Sequence, residues 1–510
     1  MLGQKGAGAL IEGECPQGKI LPVRGELELA EVIINRFHQP DGHRIIDDPI
    51  APLGFIRPAP QSYQRRLGQR HDIGHGADFT WSDTYPKSDN TSFGLRGHPD
   101  ITYTPQMFAV DAVRRAAARY RASSPASASS LPDCAVVVSN VSTFGGGGAV
   151  GFRDILLALR KLKPDHDVVA VYPQKGNLAA DCAKHGVETR IAWTPWWAFG
   201  KWRFAPGVHP LLGALPYSAI LIPGIAQAVL LFLRRRPTIV LSNTMVIPSH
   251  AIAAKLLGIP HYWIVREFGR DDHQLWFLLG YRRTVRLIGR LSETVICNSQ
   301  AVEQAMLALE PTMTTAVVYP VVETPLGIPP EREPGEPLRV VLVGYFSHAK
   351  GQHLAIKAIA IARQRGVNIG LALVGSGSHR PLRELAQRLG VADLVSIHGP
   401  TPDLGGYWAA AHVGLMCSER EAFGRVTVEA MRAGLPVCGT RSGGTPEIID
   451  PGVNGLLSAA GDAQGLAANL MSLESDEPLR RALAAGALKT SERFQRDRHD
   501  DELATILELR

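Results

Sequence analysis

Two carboxylates, Glu421 and Glu429, stand eight positions apart within Ser418-Glu419-Arg420-Glu421-Ala422-Phe423-Gly424-Arg425-Val426-Thr427-Val428-Glu429-Ala430-Met431. A glycine follows the first and a helical pattern carries the second, so a helix opening near Gly424 leaves Glu421 in the preceding loop and Glu429 on its second turn. Eight helical residues at 1.5 Å each would separate the carboxylates by roughly 12 Å. Between them lies the helix N-terminus, whose unpaired N–H groups and positive dipole end suit a diphosphate. An elongated ligand with hydroxyls at both ends and a diphosphate between them fits this arrangement. A nucleotide-sugar is such a ligand.

Other residue groups carry weaker signals. Gly146-Gly147-Gly148-Ala149-Val150-Gly151 matches G-x-G-x-x-G between a strand and a helix, the turn of a dinucleotide site. The following strand ends Val171-Tyr172-Pro173-Gln174, without the acidic residue that takes the ribose hydroxyls, so an NAD-dependent oxidoreductase rests on the glycines alone. Arg266-Glu267 follows a strand, which leaves Glu267 either a hydroxyl acceptor or half of a structural ion pair. Trp193, Trp196, Trp197 and Trp202, beside Lys201 and Arg203, suit sugar stacking, a membrane interface or plain loop packing. His71 and His75, with Asp72 and Asp78, have metal-ligand spacing, but Gly74 and Gly76 argue against the helix that would converge the imidazoles.

Positioning these groups takes two tandem α/β units. Short apolar runs of the kind buried on both faces of a parallel sheet recur at Cys134–Ser139, Val168–Tyr172, Thr238–Ser242, His261–Val265 and Thr294–Cys297, separated by helical patterns. A proline-rich, charged break at 325–337 follows, and the alternation restarts at Leu338–Gly344, Gly370–Gly375, Val395–Gly399, Val413–Met416 and Leu435–Gly439. The expected fold is therefore α/β, with two doubly wound parallel sheets facing a cleft and ligands outside the carboxyl ends of the strands. The expected divisions are an unassigned region 1–121, a Ser/Ala linker 122–132, a first α/β domain 133–324, a hinge 325–337, a second α/β domain 338–495 and a C-terminal helix 496–510, with the last helices packing back across the cleft.

Composition narrows the class. Lys and Arg number 54 against 48 Asp and Glu, a net charge of +6 that is too weak over 510 residues to indicate a nucleic-acid binder. The six cysteines never fall at C-x-x-C spacing, and no apolar signal segment follows Met1, so a reduced cytoplasmic setting is expected. Leu215–Leu233 approaches membrane-span length but carries Pro223, Gly224 and Gln227, which favours a buried helix or helix pair; Arg234-Arg235-Arg236 after it is the place expected for any peripheral membrane contact.

Glu421-Ala422-Phe423-Gly424, Glu429-Ala430-Met431, Gly434, Pro436-Val437 and Gly443-Gly444-Thr445-Pro446-Glu447-Ile448 together resemble the donor-binding signature of retaining GT-B glycosyltransferases, above all glycosyltransferase family 4. The resemblance covers about 134–495, is strongest from 338 to 458, and implies that 133–324 is the acceptor-side domain and 338–495 the nucleotide-sugar donor-side domain. It implies sugar transfer from a nucleoside-diphosphate sugar to a hydroxyl acceptor, such as a growing glycan, a lipid-linked saccharide or a small glycoside, with retention and with neither cofactor nor metal. It implies that Glu421 contacts the donor sugar, Glu429 the ribose hydroxyls, and Phe423, Gly424, Arg425 and Val426 the phosphates through the backbone. Lys350, in the loop after Gly344, would neutralise the leaving diphosphate, with Gly375 and Gly377 near the nucleotide and Gly146, Gly147 and Gly148 admitting acceptor or sugar. The family usually carries an Arg where this chain has Tyr345, so Arg425, His348 or another cation is expected to share the load; a catalytically impaired sugar-binding protein is the alternative.

Overall fold

The computed structural model describes residues 134–199, 210–273, 275–328, 331–333, 335–401 and 403–509. The expectations for 1–121, the linker 122–132, His71, His75, Lys201, Trp202 and Arg203 lie outside these residues.

Fifteen strands order the described chain: β1 Cys134–Ser139, β2 Asp167–Tyr172, β3 Glu188–Ile191, β4 Ala198–Phe199, β5 Ile239–Asn243, β6 His261–Val265, β7 Trp276–Phe277, β8 Thr294–Cys297, β9 Thr315–Val317, β10 Leu338–Val343, β11 Ile369–Val374, β12 Val395–His398, β13 Val413–Met416, β14 Val437–Thr440 and β15 Gly455–Ser458. They form a seven-stranded sheet, β3-β2-β1-β5-β6-β8-β9, and a six-stranded sheet, β12-β11-β10-β13-β14-β15. Every pairing in both is parallel, with Val137 opposite Ala170 and Leu241, and Val341 opposite Ala372 and Gly414. This is the GT-B arrangement of two Rossmann-like domains. Among the described residues only β4 and β7 pair antiparallel, as a small ribbon.

The apolar runs become strands because helices cover both faces and bury each residue of β1, β5, β6 and β13. The helix Gly147–Leu162 lays Phe152, Ile155, Leu156 and Leu159 on the first sheet, and full burial of each such side chain stabilises by about 1.5–3 kcal/mol. In the second domain the helix Arg425–Arg432 approaches the sheet so closely that a Cβ on Gly414 would lie 2.8 Å from that of Ala430.

Strand order reverses between β1 and β5 in the first sheet and between β10 and β13 in the second. The crevices at these switch points are where ligands of doubly wound sheets bind. The loops leaving β1, β10 and β13 carry Gly146, Tyr345 and Glu421, so the topology alone brings the sequence motifs to the switch points.

Leu215–Leu233 lies within one unbroken helix, Pro210–Arg235, rather than a helix pair. No helix among the described residues is long and apolar enough to cross a membrane. The helix Arg496–Ile506 returns to the first domain, where Leu503 and Leu507 join the core of Phe152, Leu156 and Tyr262, and Lys161 Nζ bonds Asp497 and Asp500 at 2.8 and 3.1 Å.

Candidate functional site

The second domain builds its half of the site by fitting three loops together. Gly424, at φ 96°, turns the chain into the helix Arg425–Arg432, whose buried face is Thr427, Val428, Ala430 and Met431. The Gly443-Gly444 turn lies under the loop before it: Gly444 N–H donates to the Glu421 carbonyl at 2.8 Å, and a Cβ on Gly443 (φ 56°) would stand 2.0 Å from that oxygen. The second half of the motif therefore supports the first. The Lys350 loop docks alongside, where a Cβ on Gly351 (φ 72°) would stand 2.0 Å from the Cys417 carbonyl oxygen.

Lys350 Nζ consequently meets Glu421 Oε2 at 2.7 Å, and Ser418 Oγ donates to the same oxygen at 2.7 Å. The Glu421 side chain is 13 % exposed and that of Lys350 39 %, so the lysine remains open to a ligand phosphate while the carboxylate is nearly enclosed. Glu429 lies on the second turn, half-buried, with no hydrogen bond or ion pair to its carboxylate among the described residues. Burial raises its pKa from the ordinary value, and the Arg425 charge opposes that rise.

Several of the expected site residues have partners within the protein. The Arg425 guanidinium donates to the Val321 carbonyl and faces Asp154 at 3.6 Å, so the first domain engages it. His348 points to Glu419 at 2.8 Å and stacks on His353 with ring centroids 4.1 Å apart. His348, His353 and Glu419 are the group among the described residues whose ligand atoms, all within 4.8 Å of one another, could hold a cation. Tyr345 is 55 % exposed, and its carbonyl is held by Gln352 Nε2 at 3.0 Å. Gly375 and Gly377 act sterically: a Cβ on Gly375 would lie 1.9 Å from the Gly344 carbonyl oxygen, and one on Gly377 2.9 Å from Phe346.

The first domain supplies the facing wall. Gly146 and Gly148 have nothing within 4 Å of where a Cβ would stand, whereas a Cβ on Gly147 would meet the Arg425 Cδ at 3.1 Å. The third glycine of the dinucleotide-like pattern has another use, since the Arg266 guanidinium carbon would lie 2.5 Å from a Cβ on Gly151. Arg266 donates to Asn243 Oδ1 at 2.8 Å and to the Gly151 carbonyl at 3.0 Å; burial lowers its pKa to about 10. Glu267 is not presented as a free hydroxyl acceptor, nor does it pair with Arg266 through the guanidinium. It accepts from Thr244 Oγ1, Met245 N–H and Arg266 N–H at 2.8, 3.0 and 3.0 Å, fixing the turn after β5, where Thr244 has φ 145°. Trp197 is buried, stacks on Trp263 at 5.7 Å and donates to the Met245 carbonyl, so it belongs to the core.

One contact escaped the motif reading. Glu447 of the second domain accepts from the N–H groups of Gln300 and Ala301 at 2.8 and 2.7 Å and from Tyr319 Oη at 2.9 Å. It thereby caps the helix Gln300–Leu307 of the first domain from across the junction. Asp154, 3 % exposed, sits between Arg425 and Arg496, the latter at 3.0 Å. Arg496 also holds Glu323 at 2.8 Å, which keeps that carboxyl below its ordinary pKa. A cation over a ring, Arg420 on Phe268 at 4.1 Å, adds a third link.

With this geometry in place, comparison with known proteins is informative. Residues 328–490 match the family described as Glycosyl transferases group 1. The match falls on the second α/β domain. Among curated relatives, a D-inositol 3-phosphate glycosyltransferase of Corynebacterium kroppenstedtii is 33% identical over 176 residues, 32% of this chain and 39% of the relative. A lipopolysaccharide core biosynthesis glycosyltransferase of Rhizobium meliloti is 37% identical over 146 residues, 28% of this chain and 42% of the relative. The chain thus spans about two-fifths of the length of these relatives. Among solved structures, Anabaena HepE in complex with UDP-glucose superposes with a TM-score of 0.57 at 22% identity, covering 74% of this chain and 99% of that one. A sucrose-phosphate synthase of Thermosynechococcus elongatus gives 0.57 at 18% identity, covering 74% and 98%. These likenesses establish the shared two-domain fold.

Proposed function

We propose that this protein is a retaining glycosyltransferase of the family 4 kind, which moves a sugar from a nucleoside-diphosphate sugar to a hydroxyl of a glycan, lipid-linked saccharide or small glycoside. The observation that carries the reading is the Lys350–Glu421 pair, 2.7 Å apart beside the N-terminus of Arg425–Arg432, with the unpartnered Glu429 one turn further on. In this reading Lys350 exchanges its carboxylate partner for the leaving diphosphate, and the helix N–H groups share the charge that develops as the sugar–phosphate bond breaks. Glu421, released from Lys350 and still oriented by Ser418, accepts hydroxyls of the donor sugar. Glu429 accepts the vicinal ribose hydroxyls, for which an unpaired carboxylate is suited. The acceptor oxygen enters on the face from which the diphosphate leaves. The lysine and the helix terminus supply the phosphate neutralisation, so the reaction is proposed to need neither metal nor cofactor, in a cytoplasmic setting.

The transferase names of the curated relatives and the UDP-glucose bound to HepE support a nucleotide-sugar donor and make UDP-sugars the first to test. A thermal-shift panel of UDP-, GDP-, ADP- and dTDP-sugars identifies the donor by the rise in melting temperature that binding to the folded state produces. Turnover of that donor, with the product's anomeric configuration read by NMR, tests transfer and retention. Loss of neither activity nor donor binding in Lys350→Ala and Glu421→Ala would remove the assignment. The exposed Tyr345 favours one second reading, a sugar-binding protein of reduced activity. Donor hydrolysis no faster than in Lys350→Ala would select it.

A further inference from the structure

The helix Tyr281–Leu291, in the first domain, has a composition that its fold does not require. Its buried side, Thr284, Val285 and Ile288, packs on the first sheet. The opposite side is Arg282, Arg283, Arg286 and Arg290, all exposed. At 3.6 residues per turn these four fall within an arc of about 100°, and the helix contains no acidic residue. Only Arg286 has an ionic partner, Glu310 at 3.2 Å; no carboxylate among the described residues pairs with the other three. A solvated structural face ordinarily interleaves both signs. Uncompensated like charges on one helix repel one another, which an anionic partner would relieve.

The residues just before this helix add a second, apolar component. In β7 the chain alternates, with Phe277 buried at 5 % exposure and packed 5.4 Å from the Tyr281 ring, while Trp276 faces outward at 57 %. Leu279, in the turn into the helix, is 44 % exposed. An exposed tryptophan and leucine beside an arginine face match what a bilayer interface takes, a shallow apolar insertion flanked by cations at the headgroups. This surface is also tied to the cleft: Tyr281 Oη donates to the Phe268 carbonyl at 2.6 Å, and the Phe268 ring lies under Arg420, next to Glu421 in the chain. By contrast, Arg235 in the expected basic cluster is occupied by Glu188.

We propose that Trp276, Leu279 and the face Arg282, Arg283, Arg286 and Arg290 form a docking surface for an anionic lipid bilayer, which holds the cleft against the membrane. The surface is independent of the sugar-transfer reading and is tested by binding alone. The full chain is sedimented with phosphatidylcholine vesicles, with the same vesicles containing phosphatidylglycerol, and with heparin present as a soluble polyanion. The expected result is binding to the anionic vesicles only, weakening as salt is raised. Arg282→Glu/Arg290→Glu should lower vesicle partition by about tenfold or more. Trp276→Ala should lower it severalfold while leaving heparin affinity unchanged. All these side chains are exposed, and circular dichroism checks that the variants fold. Absence of binding to anionic vesicles, equal binding to neutral ones, undiminished binding by the double variant, or binding to heparin alone would each overturn the proposal.

Discussion

Glu447, in the second domain, accepts the N–H of Ala301, in the first, at 2.7 Å. The same carboxylate takes Gln300 N–H and Tyr319 Oη, so the motif Gly443-Gly444-Thr445-Pro446-Glu447 supports the Glu421 loop at one end and fastens the facing domain at the other. Removing it leaves helix donors unpaired at the junction. Glu447→Ala should cost about 1–2 kcal/mol of stability, as loss of a helix cap does. It should also raise the KM for donor by opening the cleft, whereas Glu447→Gln should recover part of both. Chemical denaturation, steady-state kinetics and small-angle scattering measure these effects; a compact, fully active Glu447→Ala protein would show that the cap does not govern closure.

Lys350 and Glu421 should be the most costly single losses for turnover. Deleting one preorganised group that stabilises developing charge typically lowers kcat by about 10²–10³. Lys350→Ala leaves the enclosed Glu421 carboxylate without its cation, so melting temperature should also fall, while Lys350→Arg should keep the fold and regain little rate. Single-turnover kinetics with saturating donor separates this loss from weaker binding.

Glu429 gives a prediction with a definite pH sign. Its folded pKa is raised, chiefly by burial, so the folded protein holds the proton to higher pH than the unfolded chain does. Stability from the protonated form is present below the unfolded carboxylate pKa and declines as pH rises through the raised folded value. Glu429→Gln should therefore be more stable than the parent, by a margin that grows with pH across this window. Donor hydroxyls need the carboxylate, so donor affinity in the parent should fall as pH drops through the same window, and the Gln variant should bind weakly at every pH. Melting curves and calorimetric titrations over a pH series test both halves. A flat stability difference would contradict the burial argument.

The glycines divide by geometry. Gly443→Ala and Gly151→Ala place a methyl 2.0 Å from the Glu421 carbonyl oxygen and 2.5 Å from the Arg266 guanidinium, respectively, and both should destabilise the protein. Gly443 has the larger penalty, because its obstacle is backbone and its φ of 56° already strains an alanine. Gly146→Ala and Gly148→Ala meet nothing within 4 Å and should fold normally, yet lower affinity for whatever enters the cleft beside them. Wild-type affinity in both would make them plain turn residues.

The sequence revealed those parts of the fold that bury continuous apolar runs. Residues such as Val136, Val137 and Val138 have no alternative to a sheet covered on both faces. It concealed β3, Glu188–Ile191, whose residues are half-buried or exposed, and β9, only Thr315–Val317, because edge strands need no such run. Spacing marked Glu421 and Glu429, since a loop and the helix that follows it are local. The engagements of the Arg425 guanidinium and of Glu267 were not legible, because their partners, Asp154 and Val321 for one, Thr244 and Met245 for the other, are distant in the chain and decide which atoms remain for a ligand. Glu447 was hidden for the same reason, its partners lying 128 to 147 positions away.

The helix Arg496–Ile506 and the residue that caps it place Leu503 and Leu507 in the core of the first domain. During synthesis, therefore, that domain cannot finish packing when its own strands leave the ribosome. Its sheet must wait, with part of its hydrophobic surface uncovered, until the whole second domain has been translated and the returning segment arrives. Assembly of the two halves is thus coupled in time as well as in space, and severing the chain after Phe494 would leave the first half, not the second, without its cover.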